Sequence, residues 1–138
     1  MKKGKWMGES TKWQLLEACP IADEAEWLRH AVGFATTFVI PAKRQRWGEM
    51  LVRRPQLISR DSHKLHSDLD RRTCHRVAGL PAEIRGDGLF YSFFDVPRVV
   101  PTPSVALAAA GGDAIFSLIP AELALYFFHE DEVWLCRA

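Results

Sequence analysis

Residues 114–137, AIFSLIPAELALYFFHEDEVWLCR, decide the fold class of this chain. Apolar and aromatic residues concentrate in three runs, 114–119, 123–128 and 132–137, and a proline and an acidic stretch separate them. Such runs, bounded by turn-forming residues, predict strands. Consecutive strands with short connections pair antiparallel. We therefore predict a three-stranded antiparallel meander at the C-terminal end.

Outward from the meander, the sequence predicts helices mixed with further strands. The strands are predicted at 34–40, 73–78 and 89–94. The helices are predicted at about 11–18, 23–32, 42–54, 56–69 and 103–110. Helices combined with an antiparallel meander indicate the α+β class. The predicted fold is a mostly antiparallel sheet packed against three to five helices, in a single domain at 10–138 that follows a mobile tail at 1–9.

Residues 34–40, FATTFVI, give the clearest strand signal outside the meander. They are rich in β-branched and aromatic residues, which favour pleated structure. Gly33 precedes them and is a natural residue to end the helix predicted at 23–32. Pro41 follows them and suits the first turn of the next helix. The interpretation is a helix, a glycine stop and a strand.

Length and composition favour one globular domain without a membrane anchor. The chain has 138 residues, 48% of them hydrophobic and 25% charged, which are ordinary values for a globular domain. Its three cysteines are Cys19, Cys74 and Cys136, an odd number with no CxxC pair, so we interpret them as mostly buried, reduced thiols. The longest apolar run is far shorter than the ~20 residues of a membrane span. These features predict a cytoplasmic protein.

Charge is distributed unevenly along the chain. The basic segment, 43–76, has ten basic and four acidic side chains, whereas 77–138 has three basic and eight acidic ones. The opposite charges either neutralise each other inside the fold or leave a basic surface for a partner. Arginine and tryptophan are enriched at protein interfaces. The candidate partner-binding residues are Arg53, Arg54, Arg60, Arg71, Arg72 and Trp134.

The same arginines allow a second interpretation, in which the basic segment binds nucleic acid. Arginine forks recognise phosphate. Trp47 lies among these arginines and could stack on a base, although it also falls on an apolar helical stripe with Met50 and Leu51. A sequence pI of about 7.8 is below the value typical of nucleic-acid-binding domains.

A third interpretation is a metal site. His63 and His66 are three residues apart, so on a helix they would share a face and could bind one ion, which Cys74 could help to ligate. His-x-x-His without a fixed partner spacing is a weak signal. Neighbouring cations such as Arg60 and Lys64 also disfavour a metal ion there.

Recognised catalytic motifs are missing from the sequence. It contains no asparagine, no GxxxxGK[ST], no GxGxxG and no GxSxG. These absences argue against P-loop, Rossmann and common serine-hydrolase chemistry, and we expect no cofactor.

The leading hypothesis is therefore a small, non-enzymatic, intracellular module from a bacterium or phage that binds a partner protein, of the immunity, antitoxin or inhibitor type. The alternatives are a nucleic-acid-binding protein that uses 43–76 and a metal-dependent enzyme at His63 and His66. A homodimer is also compatible with the sequence, and no membrane contact is expected.

Overall fold

A computed structural model of the chain describes residues 14–53, 62–92, 96–129 and 132–138. Within these residues, six strands form one antiparallel sheet. In chain order they are β1 (Cys74–Val77), β2 (Gly88–Tyr91), β3 (Arg98–Val100), β4 (Ala114–Ile119), β5 (Leu123–Phe128) and β6 (Glu132–Arg137). Strands β4, β5 and β6 are neighbours in the sheet, which confirms the predicted meander.

Helices pack on this sheet, so the predicted α+β class is confirmed. They are α1 (Glu24–Phe38), α2 (Arg44–Arg53), α3 (Lys64–Asp68) and α4 (Pro103–Ala109). Residues 14–17 are also helical, and a 3-10 turn at Pro41–Lys43 leads into α2. Helix α4 begins as its sequence predicts, because the Thr102 hydroxyl accepts a hydrogen bond from the Val105 amide at 3.1 Å.

The strand order is β1-β6-β5-β4-β2-β3, and residues of the central strands of the sheet contribute to two hydrophobic clusters. One face, here called the helical face, packs against α1 and α2. Its core contains Phe34 and Phe38 from α1, Trp47 and Leu51 from α2, and Tyr126 from β5, and all five are almost fully buried.

The opposite face of the sheet carries a second hydrophobic cluster. Phe116 and Phe127 point from the central strands into this cluster, which includes Ala106 of α4 and Leu16. Successive residues of a strand alternate between the two faces. This alternation explains why β4 and β5 are apolar on both faces apart from Ser117, as their sequences indicated.

The strand predicted at 34–40 is wrong, because α1 continues through Gly33 to Phe38. Its buried residues His30, Ala31, Phe34, Ala35 and Phe38 follow a spacing of three and four, which places them on one helical face. Burial of this face against the sheet outweighs the local preference of the β-branched residues for a strand. Of residues 34–40, only Val39, which follows the helix, makes an isolated antiparallel bridge, and its partner is Leu69.

Other boundaries differ less from the predictions. β3 was not predicted, because its three residues lie between prolines and are too short to show alternation. The Val99 amide donates to the carbonyl of Pro20 at 2.8 Å, so a loop covers the outer edge of this strand. Of the helix predicted at 56–69, the part that falls on described residues contains α3. Residues 54–61, like the tail predicted at 1–9, lie outside the described part of the chain.

The turn between β4 and β5 contains an alanine in the left-handed region. Ala121 has φ 64° and follows Pro120, and the Glu122 amide donates to the Ile119 carbonyl at 3.0 Å. This is the pattern of a type II turn, whose third position favours glycine. We expect Ala121→Gly to raise the free energy of unfolding by about 0.5–1 kcal/mol, because relief of strain exceeds the added entropy of the unfolded chain.

Denaturant titration followed by circular dichroism would measure this change. Ala82→Gly is the control, since Ala82 is exposed and its φ is not positive. Ala82→Gly should be neutral or slightly destabilising. If Ala121→Gly lost as much stability as Ala82→Gly, the backbone at Ala121 would not be strained.

A buried histidine joins α1 to the sheet. His30 Nδ1 lies 2.6 Å from Ser117 Oγ on β4, and its Nε2 lies 3.7 Å from Glu26 Oε1. Burial lowers the pKa of His30, and Glu26 opposes that shift without cancelling it.

Because the folded state disfavours the protonated imidazole, the unfolded state binds more protons as pH falls below about 6.5. We therefore expect the free energy of unfolding to decline as the pH is lowered from 7 towards 5. In His30→Gln this decline should become shallower when unfolding is measured at each pH. An identical slope in the variant and the wild type would assign the pH dependence to other groups.

Candidate functional site

The Trp134 patch, formed by His66, Arg71, Phe128, Glu132 and Trp134, lies on the helical face beside the edge strand β1. Phe128 ends β5 and pairs with Glu132 at the start of β6. Residues 128, 132 and 134 share one face because alternate residues of neighbouring strands point the same way. Helix α3 and the loop after it bring His66 and Arg71 over these strands.

The rings of the patch form a stack. The His66 imidazole is parallel to the Phe128 ring, with centroids 4.0 Å apart and an interplanar angle of 13°. It also meets the Trp134 ring edge-on at 5.2 Å. The Arg71 guanidinium lies 4.3 Å from the centre of the Trp134 ring, within the range of a cation–π contact. The indole is half-buried and the arginine is exposed, so the stack reaches the surface.

One carboxylate lies beside the stack. Glu132 Oε1 accepts a hydrogen bond from the Trp134 indole at 3.1 Å, and its Oε2 is 4.0 Å from a guanidinium nitrogen of Arg76. His66 Nε2 is 3.8 Å from the same residue. Burial and then the Arg71 charge lower the pKa of His66, although Glu132 acts in the other direction. His66 is therefore mainly neutral at pH 7, so its contact with Glu132 is not a full ion pair.

Asp113 fixes the turn that follows Phe128. This buried residue precedes β4, and its carboxylate accepts from the His129 amide at 3.3 Å and from the Tyr126 hydroxyl at 3.5 Å. His129 has φ 57°, a conformation that non-glycine residues rarely adopt. Its ring centroid lies 3.8 Å from that of Phe128. The hydrogen bonds of Asp113 thus help to position the outer end of the patch.

A second charged group, centred on Asp70, lies in the basic segment. Its buried carboxylate accepts from the Arg72 amide at 3.0 Å and from the Arg72 guanidinium at 3.2 and 3.1 Å. An Arg44 nitrogen lies 3.7 Å from the same carboxylate. The hydrogen bonds from Arg72 are the main reason that the pKa of Asp70 is lowered. Arg44 and Arg72 therefore share one anion, whereas Arg71 is directed to Trp134.

The structure brings together two of the predicted partner-binding residues, Arg71 and Trp134. Arg72 is their chain neighbour but pairs with Asp70. The Arg53 side chain and the whole of Arg54 and Arg60 lie outside the described part of the chain. Of the six predicted partner-binding residues, the structure therefore shows Arg71 in contact with Trp134 and Arg72 paired with Asp70.

The charge asymmetry of the sequence is partly resolved inside the fold. Arg76 of the basic segment pairs with Glu132 of the acidic C-terminal part. Arg44 and Arg72 instead pair with an acid of their own segment, Asp70. Among the described residues, ion pairs thus form both within the basic segment and between the two segments.

The possible base-stacking role of Trp47 is wrong for this fold. The residue is 1% exposed, and its indole donates to Asp68 Oδ2 at 2.8 Å. The apolar stripe of α2 therefore predicted the burial of Trp47 correctly.

The three predicted metal ligands occupy different environments. His63 is exposed at the start of α3, His66 stacks in the Trp134 patch, and Cys74 is buried. Among the residues that the structure describes, no group of three or more His, Cys, Asp or Glu side chains is placed to hold a metal ion. The geometry of the described residues thus gives no support to the metal hypothesis.

Sequence reasoning missed Phe128 and Glu132 as members of the site. The acidic stretch at 129–132 was interpreted as a turn between two strands that could also serve as a recognition patch, and its two central residues lie outside the described ones. The available signal was the strand alternation, which places residues 132 and 134 on the same side of β6.

Within the described ranges, no helix is long and apolar enough to cross a membrane. Comparisons with protein-family profiles, with curated proteins and with solved structures found no match to this chain. The class defined by the fold is an α+β protein with an antiparallel sheet. Its function must be argued from the patch itself.

Proposed function

We propose that this chain is a non-enzymatic module that binds a partner protein through the Trp134 patch. The observation that carries the proposal is the exposed Arg71 guanidinium stacked 4.3 Å over the half-buried Trp134 ring. Tryptophan and arginine contribute the largest energies at protein interfaces, especially where rigid side chains lose little entropy on binding. The patch offers both residues in a fixed arrangement.

Arg71 is held in place before any partner arrives. Its guanidinium donates to the carbonyl of His66 at 2.8 Å, while its central carbon lies 4.3 Å from the centre of the indole. An arginine fork ordered in this way retains outward N–H groups for a planar acceptor. Less conformational freedom is then lost when the partner binds.

The chemistry of the partner follows from the charges around Arg71. Arg72 forms an ion pair with Asp70, and Arg76 forms one with Glu132. In contrast, no carboxylate of the described residues lies within ion-pair distance of Arg71. A partner that presents a carboxylate beside an apolar side chain would supply an anion for Arg71 and cover the exposed part of Trp134. We therefore propose an acidic protein segment as the ligand.

The nucleic-acid alternative stays a prediction and has less support. Arg44 and Arg72 share Asp70, and Trp47 is buried, so these side chains are less suited to contact phosphates or bases. Inhibition of the partner, as an immunity protein or antitoxin would achieve it, is a finer prediction that rests on the binding proposed here. Cytoplasmic localisation likewise stays a prediction.

Arg71→Ala is expected to weaken partner binding at least about tenfold, because a central interface arginine typically contributes more than 1.4 kcal/mol. The partner would be recovered by affinity purification from the source cell, and its affinity for each variant would be measured by calorimetric titration. Arg71 is exposed, so the substitution should leave the melting temperature nearly unchanged.

Arg85→Ala is the matched control. Arg85 is also exposed and donates to an upstream carbonyl, that of Ala82 at 3.2 Å, but it lies in the loop before β2. This variant should bind normally. Equal binding by wild type and Arg71→Ala would refute the assigned surface, and failure to recover any stoichiometric partner would refute the function. Light scattering on the purified chain would distinguish a homodimer.

A further inference from the structure

Cys74 on β1 and Cys136 on β6 face each other directly in the sheet. The neighbouring pair, Thr73 and Arg137, is hydrogen-bonded, since the Arg137 amide donates to the Thr73 carbonyl at 2.9 Å. The cysteines therefore form a non-hydrogen-bonded pair, in which Cα atoms lie about 4.5 Å apart and side chains approach most closely. A disulfide accepts Cα separations of roughly 4.4–6.8 Å. The backbone is already arranged for a cross-strand link.

The two sulfurs differ in chemical character. The Cys74 thiol lies 3.5 Å from the Phe38 carbonyl. The neighbouring Cys136 thiol is the main reason that the pKa of Cys74 is lowered, and burial opposes this shift without cancelling it. The Thr73 hydroxyl, 3.6 Å from Cys74 Sγ, acts in the same direction. Burial raises the pKa of Cys136 well above its ordinary value. Cys74 is thus the better nucleophile, and Cys136 is positioned to attack it in a second step.

The position of the pair in the sheet gives a small reagent a route to it. Both thiols are buried in the native state. However, β1 has only four residues and is the last strand in the order, so among the described strands it pairs with β6 alone. Short edge strands open more readily than central ones. Separation of β1 from β6 exposes Cys74 without unfolding the centre of the sheet.

We propose that Cys74 and Cys136 are a redox modification site, at which hydrogen peroxide converts the two thiols into an intramolecular disulfide. The Cys74 thiolate attacks one peroxide oxygen, the O–O bond breaks, and a sulfenic acid and one water are formed. Cys136 sulfur then attacks Cys74 sulfur and displaces a second water. Overall, two thiols lose two electrons and two protons, and one peroxide is reduced to two waters.

Cys19 provides an internal control in the same molecule. It is also buried, but it belongs to the cluster on the opposite face of the sheet, and its thiol donates to the Leu15 carbonyl at 3.2 Å. Burial raises its pKa. Cys19 should therefore remain a thiol under conditions that link the other two cysteines.

The test uses the reduced wild-type chain, exposed to increasing hydrogen peroxide and then alkylated. Intact mass should fall by two hydrogens before alkylation. Peptide mapping should show Cys74 joined to Cys136, with Cys19 alkylated. Dithiothreitol should reverse the change. The link closes a long loop, so the melting temperature should rise by about 5–15 °C.

Two variants separate the proposal from general oxidation. Cys19→Ser should still form the link, whereas Cys136→Ser should lose it and show a singly oxidised or further oxidised Cys74. The proposal is overturned if Cys19 enters any disulfide, if only intermolecular disulfides form, or if Met50 becomes a sulfoxide before the link appears. Neither the reaction nor its readout requires a binding partner, so this test is independent of the Trp134 patch.

Discussion

Replacing Gly33 with alanine should lower the free energy of unfolding by about 1–3 kcal/mol, although alanine is the better helix former. A Cβ atom at this position would lie 2.6 Å from the Ala121 amide nitrogen and 3.2 Å from the Pro120 carbonyl carbon. Both atoms belong to the backbone of the turn between β4 and β5. Helix α1 would have to move away from the sheet, which would loosen the packing of Phe34 beside it.

The matched control is Gly48→Ala, in the adjacent helix α2. Its new Cβ would meet only the Ala35 methyl group, at 3.7 Å, an ordinary van der Waals distance. This variant should be neutral or more stable by about 0.5–1 kcal/mol, because it gains helix propensity without a clash. Denaturant titration of both variants gives the comparison. If Gly33→Ala were as stable as Gly48→Ala, close contact between α1 and the turn would be disproved.

The same glycine shows how local sequence signals mislead. Gly33 was interpreted as a helix stop because that role is common, and residues 34–40 then became a strand by composition. The glycine is instead required by a neighbour that is 88 residues away in sequence, Ala121. A helix is indicated by the spacing of four apolar residues, Ala31, Phe34, Ala35 and Phe38. The β-branched residues on the exposed side of the same helix favour a strand, so the two local signals disagree.

The meander could be predicted because its determinants are local. Each of β4, β5 and β6 shows its own apolar run, and each connection is only a few residues long. The Trp134 patch could not be predicted in the same way. Its members come from α3, the following loop, β5 and β6, and they meet only because β1 pairs with the last strand of the chain. Arg71 and Trp134 were selected individually by residue type, and their contact depends on that long-range pairing.

Truncation of Trp47 to alanine should have the largest effect on stability, about 3–5 kcal/mol, which is the usual range for a fully buried aromatic residue. Trp47 is 1% exposed and packs between α2 and the sheet. Its indole also donates to Asp68 Oδ2 at 2.8 Å, and this bond joins α2 to the end of α3. The alanine variant loses the packing and the hydrogen bond together.

Two further variants separate the contribution of packing from that of the indole hydrogen bond. Trp47→Phe keeps most of the apolar contact but removes the indole donor, so it should cost about 1–2 kcal/mol beyond the small change in volume. Trp27→Ala removes an indole that is only partly buried and meets Tyr91 edge-on at 6.3 Å, so it should cost less than Trp47→Ala. Unfolding would be followed by circular dichroism, because each variant loses a fluorophore. If Trp47→Ala and Trp27→Ala had equal costs, Trp47 could not be the main anchor of α2.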